Sequence, residues 1–166
     1  MDIEQLKKTL GLTLLPQEGG FYAETYRSAE RLPEECLAGR YSGERSLATA
    51  IYFLLTRDSF SALHRLASDE IWHFYLGDPV EMLQLGEHGA GSIVALGTDF
   101  DRGMKPQVFV PRGTWQGARL LPGGNFALLG ATVFPGFEFA DFELAERQSL
   151  LATYPTFSSL IKQLTC

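Results

Sequence analysis

Short stretches in which apolar and polar residues alternate run through most of the chain. This alternation is typical of β-strands with one buried face. Turn-forming runs such as Gly77-Asp78-Pro79 separate the stretches. Many short strands at this spacing favour a β-sandwich or closed barrel over alternating strands and helices. The pattern therefore predicts an all-β fold, with strands at residues 21–27, 48–55, 61–66, 71–76, 80–85, 92–96, 107–110, 113–119 and 126–134.

The two ends of the chain follow a helical pattern instead. Leucines between residues 144 and 164 predict one or two short helices, interrupted at Pro155, that pack on the outside of the β structure. Residues 28–44 carry a proline, glycines and scattered charges, and are predicted to form a surface loop. Near the start, a short helix that covers one end of the barrel is predicted from Ile3, Leu6 and Leu10.

Composition agrees with one folded β-rich domain. At 166 residues the chain is long enough for a single core, and its hydrophobic content of 45% is that of a globular protein. Twelve Phe, six Tyr and 17 Gly suit strands joined by tight turns. No repeat or linker divides the sequence, so residues 1–166 are predicted to form a single domain.

Charge and cysteine content narrow the partners and the compartment. The formal charge of -6 argues against nucleic acid, because proteins that bind the phosphate backbone present basic surfaces. No apolar stretch is long enough to span a bilayer, and the start of the chain lacks the pattern of a signal peptide, so we expect no membrane partner. Cys36 and Cys166 are too few for a disulfide framework, which indicates a cytoplasmic protein.

Two degenerate motifs carry the chemistry. His64, Glu70 and Gly77 have the spacing of the first cupin motif, G(x)5HxH(x)3-4E(x)6G, with Leu66 at the second histidine position and Asp58 at the opening glycine. About forty residues later, the run Pro-Arg-Gly-Thr-Trp-Gln resembles the second motif, G(x)5PxG(x)2H(x)3N, and ends on Gln116 at the histidine position.

The wider pattern resembles one cupin family. Residues 16–28, 60–77, 105–115 and 135–144 look like the uncharacterised family DUF985, also called Cupin_5, whose barrel is similar to that of dTDP-sugar 3,5-epimerases. The resemblance implies a double-stranded β-helix, the cupin jelly-roll barrel, enclosing a small-molecule pocket. It also implies a homodimer, with exchange of the N-terminal strand as one arrangement. The family is defined by its domain and not by an established reaction.

Few of the usual cupin metal ligands remain. A metallocupin holds a transition metal with three His and one Glu, and this chain keeps His64 and Glu70 alone. The carbonyl oxygen of Gln116 is a poor replacement for imidazole, and Leu66 offers no ligand. We therefore expect no cofactor, and keep a divalent transition metal on His64 and Glu70 as the alternative.

Without a metal, His64 and Glu70 are predicted to form a catalytic acid–base pair. Histidine titrates near neutral pH, at about 6.5, and a carboxylate can orient it. This chemistry suits epimerisation, isomerisation or lactone hydrolysis, and the resembling sugar epimerases add a tyrosine as the opposing acid. Tyr22, Tyr26 and Tyr52 are candidates for that tyrosine. Alternation also predicts that, if Glu70 faces inward, His73 faces outward.

Other polar and aromatic residues near the motifs are candidates for ligand binding. The candidate residues also have purely structural interpretations. Aromatic residues on strands usually belong to the core. His64 could be a hydrogen-bonded barrel histidine without a catalytic role, and Glu70 could form a salt bridge with Arg65 or Arg112. The predicted ligand-binding set is Gln116, Trp115, Gln107, Thr132, Phe139 and Tyr26.

The leading hypothesis is a cupin that binds a polar, sugar-like or nucleotide-like small molecule and acts as an epimerase or isomerase. One alternative is a non-catalytic ligand sensor that kept the barrel and lost the chemistry. Another is a metal-dependent cupin enzyme.

Overall fold

The computed structural model describes residues 2–165 and shows mostly antiparallel β structure. Helix α1 (Ile3–Leu10) begins this part of the chain, and helices α2 (Arg147–Thr153) and α3 (Ser158–Gln163) end it. The strands between them are β1 (Thr13–Leu14), β2 (Phe21–Arg27), β3 (Arg31–Leu32), β4 (Arg45–Ser46), β5 (Thr49–Thr56), β6 (Ser61–Leu66), β7 (Asp69–Gly77), β8 (Val80–Leu85), β9 (Gly91–Leu96), β10 (Gln107–Val110), β11 (Trp115–Leu120), β12 (Phe126–Phe134) and β13 (Phe142–Leu144).

The strands form two large facing sheets. One sheet has the order β1-β2-β5-β12-β7-β10, the other has the order β13-β6-β11-β8-β9, and β3 pairs with β4 separately. Every pairing between these strands is antiparallel. Strands β2, β6, β8, β10 and β12 have the predicted bounds, and the ends of the other predicted strands are correct to within two residues. The predicted all-β organisation is confirmed.

Inward-facing side chains divide the space between the sheets into a core and a cavity. On β5, Phe53 and Leu55 belong to the core, whereas Thr49 and Ile51 line the cavity. Along β12 and along β7, the inward-facing side chains likewise belong to the core in one part of the strand and line the cavity in the other. The rings of Phe53 and Trp72 meet edge to face at 5.4 Å and fill the core side of this boundary. One end of the sandwich is therefore packed, and the other encloses the cavity.

The terminal helices cover the outer faces of the two sheets. Helices α2 and α3 pack on outward residues of the five-stranded sheet, including Leu63 and Leu83, as predicted. Helix α1 packs with Leu54 and Leu128, which face outward from the six-stranded sheet. The prediction that α1 covers one end of the barrel is therefore wrong. Its apolar stripe is instead partly buried against the outer face of that sheet.

The predicted loop at residues 28–44 is tied to the body of the protein by Arg45. The guanidinium of Arg45 donates hydrogen bonds of 2.7 Å to both carboxylate oxygens of Asp141, and the two side chains are only 3% and 4% exposed. The Nη1 atom of Arg45 also donates to the carbonyls of residues 42–44. This buried ion pair fixes the segment around Asp141, which borders the cavity.

The helices and the cysteine bear on the environment predicted for the protein. Within residues 2–165, no helix is long and apolar enough to cross a bilayer. Cys36 is an exposed free cysteine, and Cys166 lies outside the described residues.

Replacing Arg45 by alanine is expected to lower the free energy of unfolding by about 3 kcal/mol, because the Asp141 carboxylate is left buried without its partner. Arg31→Ala is the matched control: it removes an ion pair with Glu44 whose side chains are 41% and 58% exposed, and should cost less than about 1 kcal/mol. Urea unfolding measures both values. Equal losses would contradict the distinct role of the buried pair.

Candidate functional site

The cavity at the open end of the sandwich has a volume of about 310 Å³. Both sheets contribute to it, so a bound ligand would lie between two walls. The five-stranded sheet supplies His64 and Leu66 from β6. The remaining wall and rim residues are Leu15, Glu18, Tyr22, Glu24, Arg27, Thr49, Ile51, Glu70, Ala131, Val133, Phe137, Glu138 and Phe139.

His64 is held in one orientation on its wall. Its side chain is 2% exposed, and its ring stacks on that of Phe142 at 5.1 Å. The Nδ1 atom lies 2.7 Å from the carbonyl oxygen of Ala62, which can only accept, so Nδ1 carries the proton. In the neutral ring Nε2 then keeps its lone pair. His64 is therefore oriented as a proton acceptor at Nε2.

Glu18 lies beside this acceptor. Its Oε2 atom is 4.0 Å from His64 Nε2, beyond hydrogen-bond reach, and its Oε1 accepts a 2.6 Å hydrogen bond from the Ser61 hydroxyl. Two glycines place it there. Gly19 and Gly20 have φ of +91° and +71°, and an added Cβ would lie 2.5 Å from the Phe60 carbonyl oxygen or 2.7 Å from the Phe53 ring. The glycines therefore serve a tight turn against neighbouring strands of the same chain.

Glu70 faces His64 from the opposite wall. Its side chain is buried, and its Oε2 atom accepts a hydrogen bond from the Gln116 amide. The other end of the amide, Oε1, accepts a 2.9 Å hydrogen bond from the Trp72 indole. Burial raises the pKa of Glu70 to about 7, against the opposing attraction of His64. Glu70 can therefore either donate or accept a proton near neutral pH.

Charged and aromatic residues surround the mouth of the cavity. Arg27 donates to both carboxylate oxygens of Glu24 and to Glu138 at 2.9 Å, and its hydrogen bonds with Glu24 raise the pKa of the guanidinium. Phe137 and Phe139 meet edge to face at 5.1 Å. Phe139, one of the predicted ligand-binding residues, lines the cavity.

A bulge in β2 decides which tyrosine faces the cavity. Tyr22 and Glu24 point inward, but the pairing with β5 shifts between Glu24 and Tyr26. The extra residue brings Arg27 to the inner face and leaves Tyr26 outside, 56% exposed. The prediction that Tyr26 binds ligand is therefore not supported by its position, and Tyr22 is the cavity tyrosine. Tyr52 lies against Tyr75 on the outer face of the sheet.

Strand β11 carries two of the residues predicted to bind ligand, and only one of their side chains faces inward. Adjacent residues of a strand point to opposite faces, so Trp115 faces outward from Gln116. The Trp115 ring packs near the C-terminal helices, beneath the Arg65 guanidinium at 4.4 Å. Gln116 is 1% exposed and faces inward from the five-stranded sheet, where it donates to Glu70 on the facing sheet, but it does not line the cavity. Neither side chain is placed to contact a ligand there.

Gln107 and Thr132 also lie away from the cavity. Both face outward from the six-stranded sheet, on either side of His73. Gln107 Nε2 is 3.4 Å from His73 Nδ1, and Thr132 Oγ1 is 3.3 Å from His73 Nε2. The outward orientation predicted for His73 is confirmed, and its partial burial lowers its pKa.

The side chains at the cupin ligand positions do not fit a metal ion. Within residues 2–165, no group of three or more His, Cys, Asp and Glu side chains is placed to hold one. The Gln116 carbonyl oxygen already accepts from Trp72, and Leu66 offers no donor atom. Binding of a metal by His64 and Glu70 is therefore not supported by the donor set.

Sequence reasoning found the centre of the site and missed most of its rim. The plain reading of Glu70 as a salt bridge with Arg65 is wrong, because Arg65 pairs with Glu143 at 2.7 Å. Glu18, Tyr22, Glu24 and Arg27 were not in the predicted ligand-binding set. The two glycines after Glu18 were the available signal for that residue.

Replacing Glu70 by Gln is expected to change how stability depends on pH. Stabilisation by the protonated carboxyl is fully present below the ordinary pKa of 4.5 and is lost as the pH rises through about 7. Over this window the wild type should lose up to about 3 kcal/mol of unfolding free energy relative to Glu70→Gln, whose amide does not titrate. Urea unfolding of both proteins from about pH 5 to about pH 8 measures the difference. Parallel curves would contradict the burial of an ionisable Glu70.

Similar proteins support the fold and the family. Protein SO0799 from Shewanella oneidensis is 35% identical, with a TM-score of 0.85 over 100% of this chain and 98% of that one. A hypothetical protein from Leishmania major is 33% identical, with a TM-score of 0.86 over 99% of both chains. The uncharacterised protein YML079W of Saccharomyces cerevisiae is 30% identical over 133 residues, which are 75% of this chain and 66% of the yeast protein.

A more distant likeness shows the barrel alone. Oxalate decarboxylase from Bacillus subtilis is 13% identical and has a TM-score of 0.53 over 92% of this chain and 37% of that one. The predicted double-stranded β-helix is therefore confirmed. The sequence model described as Cupin superfamily (DUF985) matches residues 4–145. The chain belongs to this family, DUF985 or Cupin_5 of the cupin superfamily, as the wider pattern of its sequence predicted.

Proposed function

We propose that the cavity binds the uncharged polyol part of a sugar-like small molecule and that the protein acts on it as an epimerase or isomerase. The observation that carries this proposal is the orientation of His64. Its Nδ1–H is held by the Ala62 carbonyl, which leaves the Nε2 lone pair available for a proton. Carboxyl groups that can accept hydrogen bonds line the same cavity, and Glu70 among them can exchange a proton near neutral pH.

The lining favours a polyol over a nucleotide. Four carboxyl groups, from Glu18, Glu24, Glu70 and Glu138, lie around the cavity, and the single arginine there already pairs with two of them. Carboxylates accept hydrogen bonds from hydroxyl groups, whereas they repel phosphate at close range. Aromatic side chains beside the carboxylates offer apolar surface to a sugar ring. Of the two ligand classes predicted from the sequence, the sugar-like class is therefore favoured.

The proposed reaction moves a proton at a carbon next to a carbonyl group. His64 Nε2 removes the proton, the C–H electron pair moves into a C=C bond, and the carbonyl oxygen becomes an enolate oxygen. The protonated form of Glu70 hydrogen-bonds a ligand oxygen from the facing wall. Tyr22, also on the facing wall, returns a proton to the opposite face of the carbon. Solvent then removes the proton from His64 and restores the Tyr22 hydroxyl.

The alternatives differ in measurable ways. A ligand sensor would bind a sugar without any exchange of its carbon-bound hydrogen. A metal-dependent enzyme would lose activity with a chelator. Because the donor set does not fit a metal, we propose that activity is retained when a chelator is present.

We also propose the homodimer implied by the family resemblance, and a reducing compartment such as the cytoplasm. Strands β1 and β10 are the edges of the six-stranded sheet, and edges carry backbone groups that a second chain can pair with. Light scattering is expected to give the mass of two 18.4 kDa chains. The mass of a single chain would contradict the dimer.

Solvent exchange in D2O tests the proposed reaction. The wild type, incubated with a panel of aldoses and ketoses and a chelator, is expected to introduce deuterium next to the carbonyl carbon of one of them. His64→Asn should slow this exchange about a hundredfold or more, because it removes the base. Tyr22→Phe should suppress formation of the epimer more than it suppresses exchange. NMR spectroscopy measures both processes.

Tyr26→Phe is the matched control, because Tyr26 lies on the same strand but outside the cavity. It should leave exchange and epimer formation unchanged. Equal activity of wild type and His64→Asn would overturn the proposed role of His64. Binding without exchange would favour the sensor.

A further inference from the structure

We propose that a second site, on the far side of Leu66 from the cavity, binds a phosphate-type oxyanion. This arginine cleft has a volume of about 430 Å³ and is lined by Arg40, Arg65 and Arg112. It lies next to the candidate active site because Leu66 borders both spaces. The inference does not depend on the reaction proposed for the cavity.

The cleft is rich in positive charge, although the protein as a whole is acidic. The chain carries 14 basic and 20 acidic residues, yet three guanidinium groups surround this one depression. The acidic side chains that line it are already paired: Asp141 with the buried Arg45, and Glu143 with Arg65, both at 2.7 Å. Within residues 2–165, Arg40 and Arg112 form no ion pair. Two positive charges at the cleft are therefore uncompensated.

Two of the arginines are held in place before any ligand binds. The Nε atom of Arg40 donates a 2.8 Å hydrogen bond to the Ala67 carbonyl, and its guanidinium lies 4.6 Å from the centre of the Tyr41 ring. This hydrogen bond leaves the two Nη groups of Arg40 unused. Arg65 is fixed by Glu143 and by the face of the Trp115 ring. Side chains that are already ordered lose less entropy on binding.

Arg112 is placed through its backbone. Its N–H donates a 2.8 Å hydrogen bond to Oδ1 of Asp69, and the N–H of the next residue, Gly113, donates to the Leu66 carbonyl. The turn is thus fixed by main-chain contacts, and the exposed guanidinium is not needed for them. A guanidinium at such a position is available to an external anion.

The arrangement suits phosphate better than a carboxylate. A phosphate group offers at least three oxygen atoms, so it can accept hydrogen bonds from several guanidinium groups at once, and the planar fork of arginine matches its geometry. The carboxylate of Glu143 already occupies Nε and one Nη group of Arg65. Phosphate is therefore the anion class that uses the remaining donors.

Isothermal titration calorimetry at low salt tests the cleft with inorganic phosphate and pyrophosphate as probes. The wild type is expected to bind pyrophosphate, with affinity that falls as salt is added. Arg112→Ala and Arg40→Ala should each weaken binding about tenfold, the effect of losing one charge-assisted contact. Arg102→Ala is the matched control: it removes the same charge from an exposed residue outside the cleft, and should bind like the wild type.

Three results would overturn the proposal: no binding by the wild type, unchanged binding by both cleft variants, or equal weakening by Arg102→Ala, which would indicate diffuse surface charge. If Arg40→Ala fails to fold, Arg112→Ala decides alone, because its side chain makes no contact that the turn requires.

The anion could belong to the cavity ligand or be a separate molecule. Titration with glucose, phosphate and glucose 1-phosphate distinguishes these sources. Much tighter binding of glucose 1-phosphate than of either part indicates one ligand that spans both sites, whereas equal binding of phosphate and glucose 1-phosphate indicates a separate anion. Either result supports an oxyanion site at the cleft.

Discussion

The hydrogen-bonded bridge through Gln116 determines the character of the site. Gln116 comes from the five-stranded sheet, and its two partners, Trp72 and Glu70, come from the facing sheet. Its amide thus joins the two layers where the packed core gives way to the cavity. A histidine at the same place would offer a metal ligand, whereas the amide satisfies a carboxyl group and an indole. Burial raises the pKa of Glu70 to about 7, and the hydrogen bond from Gln116 opposes that rise.

Opposite charges lie on the two sides of one thin partition. Leu66 and the segment from Phe139 to Glu143 separate the carboxylate-rich cavity from the arginine cleft. The buried pair of Arg45 and Asp141 holds that segment in place. Because the pair is shielded from water, it is screened less by salt than the exposed ion pairs are. The partition is thus held by a buried ion pair, and both spaces border on it.

Residue alternation explains what could be predicted from the sequence. It predicted the strands and, given the inward orientation of Glu70 that the cupin resemblance implies, the outward orientation of His73. The family was predicted from the wider sequence pattern, and the two motifs indicated the cupin fold. The same rule places the Trp115 side chain outside the cavity, since the adjacent Gln116 faces inward. Alternation could not predict the outward orientation of Tyr26, because the bulge in β2 inserts a residue that no sequence pattern marks. Glu18 lies on a turn, where alternation has no meaning, so its place beside His64 depends on tertiary packing. The aromatic and charged rim arises in the same way, from segments distant in sequence.

The tight turn at Gly19 and Gly20 has a consequence for altering ligand preference by design. Any side chain at either glycine would collide with Phe60 or Phe53, so the backbone that presents Glu18 tolerates no variation. Phe139 is more than half exposed at the mouth, where larger or smaller side chains meet solvent instead of core. A library aimed at new ligands should therefore keep the turn constant and diversify the mouth.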